Sequence, residues 1–265
     1  MDEIKQIGPH LEELRKRLIR MVLAVVIITA FVLTFHLYAV DYNGMTLYYP
    51  LPDPLNNIAA QLTLEMKNQL VPETVQLIQT APGQAFFAQF YVAALLGIVF
   101  GMPVIVKELV SFVSPALGKK ETRIIRSMTI PAIGLFITGC VFSYFFVTPY
   151  ILEFLYTYGE ASGLVTFLNV VDFITFVLQF LLAFGISFQL PIVMYAVSAS
   201  GLADEKFWRK NIRYAIVIIV IFGAIITPDG SGITMWFVAG PMIGLYLLGM
   251  IFTERKGRQI ATLKS

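Results

Sequence analysis

Two short segments and one isolated amide hold the residues whose types and spacing could do chemistry. The first segment is Gly8-Pro9-His10-Leu11-Glu12-Glu13-Leu14-Arg15-Lys16-Arg17-Leu18. The second is Phe112-Val113-Ser114-Pro115-Ala116-Leu117-Gly118-Lys119-Lys120-Glu121-Thr122-Arg123. The amide is Gln189, in Phe188-Gln189-Leu190-Pro191 in the middle of an apolar run. Carboxylates can accept forked hydrogen bonds from a guanidinium. Read by themselves, Glu12–Lys16 and Glu13–Arg17 are i,i+4 salt bridges worth roughly 0.2–0.5 kcal/mol each. Glu121, in the first turn of a helix, complements the helix dipole. An amide in lipid needs a partner on another helix, or else marks a polar spot in a cavity that a substrate approaches. No nucleophile–base pair, metal set or phosphate loop is present in the sequence. The 2 histidines and the single Cys140, inside an apolar run, argue against a zinc site, an iron–sulfur cluster or a disulfide framework. No catalytic residue, metal or cofactor is expected.

The elements that hold these residues follow from composition. Of 265 residues, 57% are hydrophobic and only 14% charged, whereas a soluble domain carries about 25% charged residues. The expected class is an all-α polytopic membrane protein. Stretches free of Asp, Glu, Lys and Arg run 21–40, 74–106, 127–152, 173–203, 214–228 and 230–253. A helical span needs about 20 apolar residues. Six spans are therefore expected, at about 18–40, 84–113, 123–149, 169–198, 211–227 and 231–252. The fifth has a run of only 15 residues. Thr227-Pro228-Asp229-Gly230-Ser231-Gly232 reads as a tight turn that makes spans five and six a hairpin of short helices.

Charge placement sets the orientation. Eighteen of the 19 Lys and Arg residues fall before span one, between spans two and three, between four and five, or after six. The positive-inside rule puts that side, with both termini, in the cytoplasm. The outer segments carry eight acids and a single base, Lys67. Residues 8–20 read as an amphipathic lead-in, opened by Pro9 near the first helical position. The start is not expected to be a cleavable signal peptide, because its apolar run is long and no small-residue cleavage pattern follows. The whole chain reads as a single membrane domain with an extracytoplasmic cap at 41–83, in which Asn56–Leu70 forms an amphipathic helix. Pro54 in this cap and Asp229 in the last outer turn read as structural residues. Pro103, Pro131, Pro149, Pro191 and Pro241 would bend their helices into a concave wall. Trp208, Tyr48, Tyr49, Tyr156 and Tyr158 read mostly as interface anchors.

Four motifs in register resemble the TatC family of twin-arginine translocase subunits. They are His-Leu-x-Glu-Leu-Arg-x-Arg-Leu at 10–18, Phe-x-x-Pro-Ala-Leu followed by Lys-x-Glu-x-Arg at 112–123, Ala-Phe-Gly-Ile-Ser-Phe-x-x-Pro at 183–191, and Thr-Pro-Asp at 227–229. The resemblance covers about residues 8–252. It implies a core receptor that binds paired-arginine signal peptides and helps move folded proteins across the cytoplasmic membrane of a prokaryote, driven by the proton motive force. It implies single-span TatA-like partners, often joined in the family by a TatB-like one, and self-association, and no nucleic acid. By motif position it implies that Glu13 and Glu121 contact the arginine pair. Leu14, Arg15, Arg17, Phe112, Lys119 and Arg123 match neighbouring positions of the same site. The chain departs from the family pattern at Gln189, usually glutamate, at Thr122, often arginine, and in its long outer segment. Two other function classes remain: a small-solute transporter, which would be expected to show repeated halves, and a membrane scaffold indifferent to paired arginines.

Overall fold

Apolar stretches of this length fold as helices because lipid offers no partner to an open backbone group. The computed structural model describes residues 2–42, 45–113, 126–203, 206–227 and 232–262. Its helices are α1 (Asp2–Thr34), α2 (Ile58–Leu70), α3 (Gln84–Val113), α4 (Thr129–Phe142), α5 (Thr148–Ala161), α6 (Val170–Ser187), α7 (Leu190–Ala199), α8 (Phe207–Lys210), α9 (Ile212–Ile226) and α10 (Ile233–Thr262). A π turn, Ser143–Val147, joins α4 to α5. Among the described residues four strands accompany them: β1 (Phe35–Tyr42), β2 (Met45–Pro52), β3 (Gln76–Ile78) and β4 (Phe167–Asn169). Among the described residues, five helical stretches are long and apolar enough to cross a membrane: Leu11–Thr34, Gln84–Phe112, Thr129–Ala161, Val170–Ala199 and Ile233–Arg255. Ile212–Ile226 is apolar but shorter.

The chain divides into two compact units, Met1–Ile105 with Thr148–Gln179, and Val106–Val147 with Phe180–Ser265. In the first, α1 packs on α3 through a close approach. A Cβ on Gly97 would lie 2.8 Å from the Val25 carbonyl oxygen, and Thr29 Oγ1 donates to Ala93 O at 3.4 Å. The helix α1 starts at Asp2, upstream of the expected opening at Pro9, so this proline costs one backbone bond within the helix.

The outer end of α1 corrects the sequence reading. Span one was expected to reach residue 40, but α1 ends at Thr34 and the chain turns into a hairpin, with β1 paired antiparallel to β2 from Phe35↔Pro52 to Tyr42↔Met45. Residues 35–40 are uncharged, so counting charges cannot separate them from the span. Their aromatic and β-branched side chains suit a pleated surface better. The Asp53 N–H donates to Thr34 O at 2.9 Å and closes the helix end. The Gln61 carboxamide then imitates a neighbouring strand. Leu37 N–H donates to Gln61 Oε1 at 3.4 Å, and Gln61 Nε2 donates to Leu37 O at 3.3 Å.

Asn57 starts α2. Its Oδ1 accepts from Ala60 N–H at 2.9 Å, while its Nδ2 donates to Pro54 O at 2.8 Å and Gln89 Oε1 at 3.1 Å. The side chain is 2% exposed, so a buried amide joins cap, loop and α3. Further on, β3 pairs in parallel with β4. Span three was expected to stop at 149, but its helix continues to Ala161. Pro149 lies in the first turn of α5 after the π turn, where a missing N–H is tolerated.

In the second unit the helices meet backbone to backbone. A Cβ on Gly139 (α4) would lie 2.5 Å from Phe184 O, and one on Gly185 (α6) would lie 2.8 Å from the Phe136 ring. Small residues let helices approach this way where lipid provides no hydrophobic drive. Gly249 (α10) stands in the same relation to α7, 3.0 Å from Pro191 Cα. Span four is not continuous: α6 ends at Ser187, α7 starts at Leu190, and Pro191 occupies its first turn.

Candidate functional site

The carboxylate of Glu13 lies about three turns into α1, where the apolar stretch Leu11–Thr34 begins, on the half-buried side with Arg17. Both are one helical turn apart, so their side chains meet. Arg17 Nε donates to Glu13 Oε1 at 3.1 Å and Nη2 to the same oxygen at 2.5 Å. The second pair expected from spacing, Lys16–Glu12, forms at 2.8 Å and is open to solvent. Leu14 and Arg15 are exposed. Glu13 therefore already holds a guanidinium, and an incoming guanidinium would have to share that carboxylate or displace Arg17.

Phe112 is half-buried at the end of α3. Lys119, Glu121 and Arg123 lie outside the described residues, as does Asp229. Glu13 belongs to the first unit and Phe112 to the second. Glu108, four residues before Phe112 on the same face of α3, is 9% exposed and was not singled out from sequence. The signal was there: Lys107-Glu108 ends the apolar run one turn before Phe112.

Gln189 caps the break between α6 and α7. Its own N–H turns to Ile186 O at 3.0 Å, leaving the Gly185 carbonyl without that donor. Gln189 Nε2 reaches Ala132 O on α4 at 3.0 Å and Gly185 O at 3.5 Å. The amide thus stitches two helices together at a proline-made gap, which is the interhelical alternative of the two open readings. Pro54 acts through its carbonyl, which accepts from Asn57.

At the basic end of the second unit, Trp208 Nε1 donates to Ser198 Oγ at 2.8 Å and Tyr246 donates to Trp208 O at 2.8 Å. Arg209 forms a fork with Glu254, at 2.6 and 2.7 Å. That fork holds the Arg209 pKa above its ordinary value, mainly through the hydrogen bond and secondarily through the charge of Glu254. Trp208 is therefore fixed by its protein neighbours. Among the described residues no three His, Cys, Asp or Glu side chains gather as a metal site would require.

A sequence model of the family described as "Sec-independent protein translocase protein (TatC)" matches residues 9–241. The TatC protein of Cenarchaeum symbiosum (strain A) is 62% identical over 254 residues, covering 96% of each chain. That of Helicobacter pylori (strain J99) is 30% identical over 250 residues, covering 94% of this chain and 89% of that one. A crystal structure described as "Twin Arginine Translocase Receptor- TatC in DDM" superposes with a TM-score of 0.75 at 30% identity, covering 92% of this chain and 99% of that chain. With that match spanning most of its length, and with apolar helices of membrane length, the chain belongs to the TatC family, a membrane component of Sec-independent protein translocation.

Proposed function

We propose that this subunit is the receptor for paired-arginine signal peptides, and that Glu13 and Glu121 each take one guanidinium of the pair. The observation that carries the reading is the Arg17–Glu13 contact: two nitrogens of one guanidinium on a carboxylate at the start of a membrane-length helix. Lysine keeps the charge but lacks the fork, so paired lysines bind less well. By motif position, Leu14, Arg15, Arg17, Phe112, Lys119 and Arg123 take part in the same recognition. The protein lies in the cytoplasmic membrane of a prokaryote with both termini inside. It works with TatA-like single-span partners, with or without a TatB-like one, associates with itself, and uses the proton motive force. It has no catalytic residue of its own. Gln189 donates hydrogen bonds but does not titrate, so no proton passes through a carboxyl group at that position.

The test is crosslinking of a twin-arginine signal peptide to the protein in membranes, with wild type, Glu13→Ala, Glu121→Ala and a peptide carrying two lysines. A hydrogen bond to a charged group is worth about 1.5–3 kcal/mol, so each change should lower crosslinking about tenfold or more. Equal crosslinking throughout, with folded and inserted variants, refutes the receptor reading and moves a scaffold or solute transporter ahead.

A further inference from the structure

The first unit carries a second acidic feature, away from the start of α1. An open pocket of about 520 Å³ lies between the segment 68–74 and the last turns of α5. Glu73, Glu153 and Glu160 are among its lining residues, and none of the lining residues is basic. The stretch Thr129–Ala161 has 33 residues, roughly 50 Å of helix, against about 30 Å of hydrocarbon. Its end therefore has length to spare beyond the lipid core. Glu153, Tyr156 and Glu160 follow at i, i+3 and i+7, one face of α5, and all three line the pocket.

Tyr156 makes this more than an acidic patch. Its side chain is 7% exposed, and its hydroxyl is buried without a hydrogen-bond partner. Buried phenols ordinarily find one. Across the pocket wall, Thr74 Oγ1 donates to Glu160 Oε1 at 2.8 Å.

The chemistry selects the ligand. A calcium ion takes 6–8 oxygens at short range, and among the described residues no three acidic side chains converge to supply them. Glutamates that do not converge can still be bridged by a cation that carries several donors of its own. A guanidinium has five in a planar fork, and the phenol oxygen can accept one of them. We propose that this pocket binds a guanidinium group, held by Glu153 and Glu160 with the Tyr156 hydroxyl as the third contact. Two sources share this chemistry: an arginine side chain of a polypeptide, and a free guanidinium compound.

The probe is a dye-labelled, end-blocked Gly-Gly-Arg-Gly-Gly peptide, followed by fluorescence anisotropy on the full chain in lipid nanodiscs at low salt. The chain carries Glu13→Gln and Glu121→Gln, so the proposed signal-peptide carboxylates cannot contribute and their failure leaves this test unaffected. The arginine peptide should bind at least about tenfold more tightly than its citrulline counterpart. Glu153→Gln and Glu160→Gln should each weaken it about tenfold. Tyr156→Phe, which keeps the ring, should weaken it about threefold or more. Asp41→Asn, outside the pocket, should change nothing. Competition by free arginine amide at equal strength assigns the site to small guanidinium compounds, whereas weak competition assigns it to polypeptide arginine. Citrulline binding as well as arginine, or Asp41→Asn matching the pocket variants, overturns the proposal. So does calcium binding that is lost in Glu153→Gln while the peptide fails to bind.

Discussion

Replacing Gly139 by alanine places a methyl group 2.5 Å from Phe184 O, 2.9 Å from its carbonyl carbon and 3.0 Å from Gly185 Cα. All three are backbone atoms of α6, so no side chain can swing aside. Ordinary contact needs about 3.4 Å or more, so α4 and α6 must part by roughly 1 Å, an overpacking of the kind that costs about 1–3 kcal/mol. Alanine recovers about 0.5–1 kcal/mol of helix propensity, which leaves a net loss near 0.5–2 kcal/mol. Cys140 is the natural reporter. It is the only cysteine in the chain, it is buried beside Gly139, and its Sγ lies 3.5 Å from Leu181 O on α6. If maleimide reaches it through local opening of this helix pair, Gly139→Ala should speed labelling about 2- to 30-fold, since 1.4 kcal/mol is a factor of ten. Gly134 is on the same helix with open space where a Cβ would go, so Gly134→Ala should label at the wild-type rate or more slowly. Labelling of Gly139→Ala no faster than Gly134→Ala, with equal melting temperatures, would refute the claim that this contact sets the packing.

Two further outcomes follow from the outer segment. Asn57→Ala removes a cap worth about 0.5–2 kcal/mol together with the bonds from its Nδ2 to Pro54 O and Gln89 Oε1. Hydrogen exchange across α2 should therefore rise steeply, whereas Asn57→Asp, which keeps the cap, should fall between. Asp53 has its pKa lowered by hydrogen bonds from Asn56, the side-chain bond first and then the backbone bond. A folded pKa below the unfolded one stabilises the fold at pH values above the ordinary carboxylate value, and the gain fades as pH falls through the lowered value. Exchange protection of the Leu55 and Asn56 amides should accordingly drop in strong acid in the wild type and show no such drop in Asp53→Asn.

The apolar runs and the charges at their ends made the membrane-length helices legible, because an uncharged stretch of span length has few stable alternatives. The same signal misread Phe35–Val40, where a missing charge could not distinguish a helix in lipid from a strand just above it. The i,i+4 pairs at Glu12 and Glu13 were readable because helical spacing alone brings them together. Gln189 stood out as polar, but its partner Ala132 O is a backbone atom 57 residues away, invisible to any motif. Glu153, Tyr156 and Glu160 had been counted only as outer charge and an interface aromatic. Their shared pocket depends on the segment 68–74 folding back against α5, which no local pattern announces.

The parallel pairing of β3 with β4 bears on how the chain is made. Its two strands leave the ribosome about ninety residues apart, and α3 and the long α4–α5 stretch are threaded in between. Asn169 completes the join, with its Nδ2 on Thr80 Oγ1 at 2.8 Å and Gln84 Oε1 at 3.0 Å while its Oδ1 receives Val171 N–H. Such a distant pairing forms late, because the chain between must be ordered first. It can close only if both crossings have delivered their ends to the same side. A chain that inserts one of them backwards leaves β4 on the wrong face and Asn169 without Thr80, so correct insertion is the condition for this small sheet to exist at all.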